Sequence, residues 1–252
     1  MLKKRIIPVQ LLLKGRLVKT VQFASPRDVG DPVASSKVYN DQYADELVFL
    51  NINREVRTIE PLIELIEKVS ESCFMPLAVG GGISQARDAE KLIAHGADKV
   101  VVNSACYRNP ALITEIAAKF GTQAVIASID VRQRGDSFVL FSECGRNSES
   151  IDLDEHVRRC IQCGAGEILI NSIDHDGKMN GYDLALLARV GRGANVPVIG
   201  CGGAGSYQDL LNAFRLPNIS ALACGSLFNF GDNNPIRAKA FLTNYDLAFK
   251  VV

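Results

Sequence analysis

The sequence has no excess of either charge: Lys plus Arg and Asp plus Glu each number 28 in 252 residues. With no basic tail, neither nucleic acid nor an anionic membrane is an expected partner. No apolar stretch approaches the roughly 18–20 residues of a membrane span. The start, Met1-Leu2-Lys3-Lys4-Arg5-Ile6-Ile7-Pro8, has basic residues but only a short apolar run, unlike a secretory signal. No linker or low-complexity segment divides the chain, so one domain over residues 1–252 is expected. Cysteine is not scarce, but the seven are scattered. Cys160-Ile161-Gln162-Cys163 has motif spacing, yet no second pair or nearby His completes a zinc site. It is read as a pair of reduced helix residues in a cytosolic (cytoplasmic) protein. No metal and no organic cofactor is expected.

What is present is a ten-residue stretch used twice. Val196-Pro197-Val198-Ile199-Gly200-Cys201-Gly202-Gly203-Ala204-Gly205 has an earlier echo in Met75-Pro76-Leu77-Ala78-Val79-Gly80-Gly81-Gly82-Ile83-Ser84. Each is an apolar run that starts after Pro, stops at a Gly pair and leads into helical spacing, as a buried strand feeding a helix does. Pro197 and Pro76 stand 121 apart, as do Gly202 and Gly81, and Ala165-Gly166-Glu167-Ile168 and Ala44-Asp45-Glu46-Leu47. Two fused half-barrels, about 1–121 and 122–252, are expected.

Strand-like runs lie near 5–12, 46–51, 76–80, 99–103, 123–130, 167–172, 196–201 and 219–225, with helical segments between them. Asp31-Pro32 and Asn109-Pro110 each read as an N-cap followed by Pro at the first helical position. Asp152 with Glu155, and Ser206 with Asp209, resemble capping boxes. Eight strands alternating with eight helices point to a closed parallel (β/α)8 TIM barrel. An open doubly wound sheet is the alternative, but two equal halves close more naturally. Two long loops follow strands 1 and 5, from Leu13 to Pro32 and from Val131 to Ile151, on the face where such barrels keep their chemistry.

On that face the Gly81-Gly82 and Gly202-Gly203 turns would aim backbone N–H groups at an anion. Asn103-Ser104 and Gly225-Ser226 follow the neighbouring strands, so each half has one candidate phosphate cradle. Together they suggest a long ligand phosphorylated at both ends; a lone Gly-rich turn is weak evidence, since a tight bend alone calls for one. Asp130 ends a strand and is a candidate general acid or base. Asp174 and Asp176 sit in Asp-His-Asp-Gly, where turn chemistry is the plain explanation, and His175 reads as a loop residue. Arg5, Glu46, Lys99 and Glu167 open strands at the other end, and a ring of alternating charges there would be mutually satisfied.

These stretches resemble the cyclase subunit of imidazole glycerol phosphate synthase (HisF-like) over essentially the whole chain. The resemblance is carried by Lys4 to Pro8, Gly30 to Pro32, Asp45 to Leu50, Val79 to Ile83, Gly96 to Val100, Gly164 to Leu169, Asp174 to Gly177 and Gly202 to Gly205. It implies a barrel that takes a bisphosphorylated substrate while a separate glutaminase subunit docks on its floor and releases ammonia. Ammonia would pass the gate matched by Arg5, Glu46, Lys99 and Glu167. At the top two aspartates would act as acid and base, giving imidazole glycerol phosphate and an aminoimidazole carboxamide ribotide. The family's first catalytic Asp falls at Leu11; Asp130 and Lys19, in the first loop, are retained, with Asp176 a weaker candidate. Asn51 stands where the family has Asp, and Cys201 where it has Ser. Leu11 to Lys14, Leu17 to Val21, Phe141 to Glu143 and Gly225 to Phe228 resemble a paralogue group linked to surface-polysaccharide synthesis. That resemblance implies ammonia delivery to a sugar-amidating enzyme, within a heterodimer. The alternatives are a working cyclase in histidine synthesis and a non-catalytic metabolite-binding scaffold.

Overall fold

Apolar runs that begin after a charged residue or a Pro become the barrel staves in a computed structural model, which describes residues 3–250. In chain order the first strands are β1 (Arg5–Leu13), β2 (Arg16–Val21), β3 (Ala24–Gly30), β4 (Leu47–Asn51), β5 (Leu77–Gly80) and β6 (Lys99–Val102). They are followed by β7 (Val125–Arg134), β8 (Ser137–Ser142), β9 (Asn147–Glu149), β10 (Glu167–Ser172), β11 (Val198–Cys201) and β12 (Ile219–Cys224). Eight of them pair in parallel in the order β1-β4-β5-β6-β7-β10-β11-β12, and β12 returns to β1. The sheet is closed, and helices lie between the staves, as in a (β/α)8 barrel.

Side-chain alternation divides each stave between two cores. Ile7, Val9, Val48, Ala78, Val101, Ile126, Leu169, Ile199, Ala221 and Ala223 fill the axis of the barrel. The intervening residues, among them Ile6, Phe49, Val79, Val100 and Ile168, pack outward against the helices. Alternation continues to the stave ends, so inward positions near the C-terminal end become the floor of a cavity.

The two regions expected as long loops are built of strand instead. β2 folds back antiparallel on β1, with Leu11 opposite Val18, and pairs with β3. β7 runs four residues past Asp130 to Arg134 and forms a hairpin with β8, to which β9 adds. Leu17-Val18-Lys19-Thr20-Val21 explains the first case: β-branched and apolar residues make the run a strand despite its charges. Among the described residues the α-helices outnumber the eight staves. Between β6 and β7 the chain forms two α-helices, Ser104–Arg108 and Ala111–Phe120, and after β12 it forms Ser226–Asn229 and Pro235–Thr243.

Helix starts follow local chemistry. Asp31 caps the helix Pro32–Asp41 by accepting from the Ala34 N–H at 2.8 Å, with Pro32 at its first position. Ser206 and Asp209 form a reciprocal capping box. Asp152 accepts from the N–H groups of Asp154 and Glu155, but Glu155 does not reciprocate, so this is a cap without the box. Asn109 does not cap with its side chain; it closes the short helix before it, and Pro110 already has helical dihedrals. Cys160 is buried on the helix Leu153–Gln162, and Cys163 is its C-cap. His156 stands one turn before Cys160, and its Nε2 lies 3.7 Å from the Cys160 Sγ. Among the described residues no helix is long and apolar enough to cross a membrane.

Candidate functional site at the C-terminal mouth

The parallel register sets the site. Asp130 on β7 lies opposite Asn171 on β10, which lies opposite Cys201 on β11. These stave ends, with Leu11 and Leu50, ring a cavity of about 350 Å³. Gly81, Gly82, Asn103, Ser104, Gly202, Gly203, Gly225 and Ser226 all line it, together with Lys19, Asp130 and Asp176. Both candidate phosphate cradles therefore face one space with Lys19, Asp130 and Asp176.

The glycines have steric reasons to be there. Gly82 has φ +85°, and a Cβ on it would lie 2.7 Å from the Thr58 carbonyl oxygen. Gly203 has φ +108°, and its Cβ would lie 2.1 Å from the Gly181 carbonyl oxygen. No other residue fits either turn without moving the neighbouring backbone.

Burial controls the titrating groups. It lifts the Asp130 carboxyl to about 7, with Asp176 adding to the effect, while Asn103 Nδ2 donates to Asp130 Oδ2 at 3.0 Å. A carboxyl near 7 can both give and take a proton at neutral pH. Burial also raises Asp176, against hydrogen bonds from the Thr20 hydroxyl at 2.8 Å and the Phe23 N–H at 3.2 Å. Burial lowers Lys19 to about 8 even though Asp176 opposes the fall; its Nζ donates to the Val9 carbonyl at 2.5 Å. Cys201 and Cys224 are pushed up by the same desolvation, Cys224 to about 12.

The β2–β3 hairpin lies over this mouth. Its turn residues Gln22 and Phe23 have φ +53° and +64°, and Phe23 lines the cavity. Asp176 holds the hairpin from below, and the Gln22 N–H donates to the Asp176 carbonyl at 2.9 Å. Asp174 points elsewhere: it accepts from the Gln133 N–H at 2.8 Å and braces the β7 extension. His175 contacts the Gly181 carbonyl through Nδ1 at 2.7 Å, a loop contact. Asn51 is tied locally, donating to the Thr58 carbonyl at 3.3 Å.

At the opposite end Arg5, Glu46, Lys99 and Glu167 form a closed ring. Arg5 reaches Glu46 at 2.8 Å and Glu167 at 2.5 Å; Lys99 reaches the same two at 2.9 and 2.6 Å. Arg5, Glu46 and Lys99 face an open depression of about 360 Å³ with Lys3, Lys4 and Asp45.

Sequence reasoning missed Arg54, Arg57 and Arg108, which line the mouth beside Gly82 and Ser104. Their signal was available: charged residues just beyond the C-terminal end of a barrel stave are placed at the site by the fold. Glu143, noticed only as part of a motif, is buried against two of them.

The sequence pattern of the family described as "Histidine biosynthesis protein" matches residues 5–234. The imidazole glycerol phosphate synthase subunit HisF of Alkaliphilus metalliredigens is 42% identical over 251 residues, covering 99% of this chain and 100% of that protein. The subunit of the same name from Chloroherpeton thalassium is 41% identical over 251 residues, with 100% of each chain covered. That of Hyphomonas neptunium is 43% identical over 242 residues, 96% of each. A barrel with its cavity at the C-terminal mouth, matched from end to end by these proteins, belongs to the histidine biosynthesis protein family and is a homologue of the HisF subunits.

Proposed function

We propose that this chain is the cyclase-type barrel subunit of a glutamine amidotransferase of the imidazole glycerol phosphate synthase kind. The observation that carries the proposal is a pairing of ends. A closed charge ring sits on the floor, and a carboxyl tuned to about 7 sits at the mouth of the same barrel. A glutaminase subunit would dock on the floor and release ammonia beneath the ring of Arg5, Glu46, Lys99 and Glu167. Asp130 would move protons at the mouth, Lys19 would contact an anion under the hairpin, and Asp176 would hold the hairpin and tune both. The cradles with Gly81, Gly82, Asn103 and Ser104, and with Gly202, Gly203, Gly225 and Ser226, would hold the phosphorylated ligand.

The finer proposal concerns Leu11, which lines the cavity across from Asp130 and cannot carry a proton. Losing one general acid or base removes about 10²- to 10⁴-fold in rate. We infer that the ammonia is destined for another acceptor, delivered to a sugar-amidating enzyme of surface-polysaccharide synthesis. The full-length similarity to HisF subunits supports equally a working cyclase in histidine synthesis, with Asp130 and Asp176 or a water covering for Leu11.

Ammonia-dependent turnover of the bisphosphorylated histidine precursor, in the protein and in Leu11→Asp, separates the two. Turnover in the unmodified protein supports the histidine assignment. None, with a rise of about tenfold or more in the variant, supports a relocated acceptor. A barrel that neither binds nor activates any glutaminase would remove the amidotransferase proposal altogether.

A further inference from the structure

In the layer between staves and helices, two cysteines from different helices meet beside a histidine. Cys106, on the helix Ser104–Arg108, and Cys160, on Leu153–Gln162, are buried in the outer core, and His156 is buried with them. The two thiols are in side-chain hydrogen-bond contact, a pairing that the spacing of Cys160 and Cys163 does not announce.

The surroundings are rich in donors. His156 Nε2 lies 3.7 Å from Cys160 Sγ, and its Nδ1 lies 3.2 Å from Arg159 Nη2. A guanidinium only donates, so Nδ1 accepts and Nε2 carries the proton toward the sulfur. Arg159 Nη2 also donates to the Cys106 carbonyl at 3.4 Å, and its buried Nε has no partner among the described residues. Tyr107 stacks on the imidazole at 4.1 Å. Donors and cations around a sulfur favour its thiolate. Here the Cys106 hydrogen bond, then His156 and Arg159, lower Cys160 against the desolvation that raises it. The same pairing, with burial, raises Cys106. One sulfur is the nucleophile and the other keeps its proton.

Cys106 is also tied to the mouth. Its thiol donates to the Val102 carbonyl at 3.4 Å and its N–H to the Asn103 carbonyl at 2.9 Å. Asn103 in turn donates to Asp130 at 3.0 Å. The helix Ser104–Arg108 has five residues and no side-chain cap, so a local opening that admits a small oxidant costs little.

We propose that Cys106 and Cys160 are a peroxide-sensitive dithiol switch that acts on the mouth through Asn103. The Cys160 thiolate attacks one peroxide oxygen and the O–O bond breaks. The hydroxide released takes back the proton that Cys160 had given to solvent, leaving a sulfenic acid and water. Cys106 then attacks the sulfenic sulfur, and its proton leaves with the hydroxyl group as a second water when the S–O bond breaks. Two thiols and one peroxide thus give one disulfide and two waters, and an external dithiol reverses the change. The disulfide has no S–H for the Val102 carbonyl. It also draws the two sulfurs to about 2 Å, so Asn103 shifts against Asp130. The switch stands without the proposed function; only its bearing on proton transfer rests on the role given there to Asp130.

Hydrogen peroxide is the probe, added to the whole reduced protein and followed by proteolysis and mass spectrometry. The first product expected is a peptide pair linked through Cys106 and Cys160, released by dithiothreitol. Cys106→Ser should stop at a sulfenic acid on Cys160 that dimedone traps. His156→Phe, which keeps a stacking ring, should slow linkage about tenfold or more. The Asn103 side-chain amide signals should move with linkage and return on reduction. Oxidation that begins at Cys144 or Cys163, or a pair that stays unlinked, overturns the proposal. Linkage with unmoved Asn103 signals overturns it too, as a disulfide without effect on the mouth. Should a variant fail to fold, the order of oxidation in the unmodified protein decides. No readout needs ammonia or a glutaminase, so failure here and failure of the amidotransferase proposal are told apart.

Discussion

Replacing Asp130 by Asn should make the protein more stable and less active, and the gain should depend on pH. Burial, with Asp176 nearby, lifts this carboxyl from 3.8 to about 7. Between those values the folded state holds a proton that the unfolded state has already released. Stability therefore falls as pH rises from about 4 to about 7, and levels off once both states are ionised. At about 1.4 kcal/mol per pH unit, ionised Asp130 costs the fold up to about 4 kcal/mol. Asn removes the charge without opening a cavity, and its amide oxygen can still accept from Asn103 Nδ2, now 3.0 Å from Asp130 Oδ2. A gain of roughly 2–4 kcal/mol is expected at pH 8, on the order of 5–10 °C in Tm for a chain of this size, fading toward pH 4. Urea unfolding of both proteins at several pH values measures it. A gap independent of pH, or a variant less stable at pH 8, would refute the account of a desolvated carboxyl kept at a cost to stability. Ammonia-dependent turnover, where present, should fall about 10²- to 10⁴-fold.

Lys19→Met carries the opposite pH signature. Burial lowers the Lys19 ammonium from 10.5 to about 8, so the charged form costs the folded state most below pH 8, and the cost fades as pH rises toward 10.5. Met should gain up to about 3 kcal/mol at pH 7 and nothing at the alkaline limit; a gap that widens with pH would contradict this. Glu46→Ala leaves Arg5 and Lys99 sharing Glu167 alone. The loss should be roughly 1–3 kcal/mol, less than for a fully buried pair because the two cations are 21% and 16% exposed. Unchanged urea unfolding would mean that the ring adds nothing to stability. Asp176→Ala frees the Thr20 hydroxyl and the Phe23 N–H, so amide exchange in β2 and β3 should quicken about tenfold or more. Unaltered exchange would show that the hairpin is held from elsewhere.

The staves were legible because their cause is local: Pro76 and Pro197 open apolar runs and Gly81 and Gly202 close them. The Gly turns and Asp130 were legible because a barrel puts every stave end on one face. Partners fixed by tertiary packing were not. Nothing near Asp176 in sequence says that its carboxylate meets Thr20, 156 positions away. The β2–β3 and β7–β8 hairpins were hidden because Lys14, Arg16, Arg132 and Arg134 break the apolar pattern; cross-strand pairing and cover by neighbouring loops stabilise them instead. Arg57 and Arg108 look like ordinary surface charges until Glu143 is found buried between them.

The floor ring bears on how the barrel is assembled. Arg5, Glu46 and Lys99 come from the first four staves or their edges, and Glu167 from the second four. A chain that has folded only as far as β6 holds two cations against one carboxylate. The missing charge arrives with β10, 162 positions after Arg5. Contacts of that separation form late, after the entropy of a long loop has been spent. A slip of one residue in β10 would turn Glu167 toward the helical layer and leave Arg5 and Lys99 overcharged. The ring therefore serves as a register lock, rewarding correct closure and penalising a barrel closed one residue out of step.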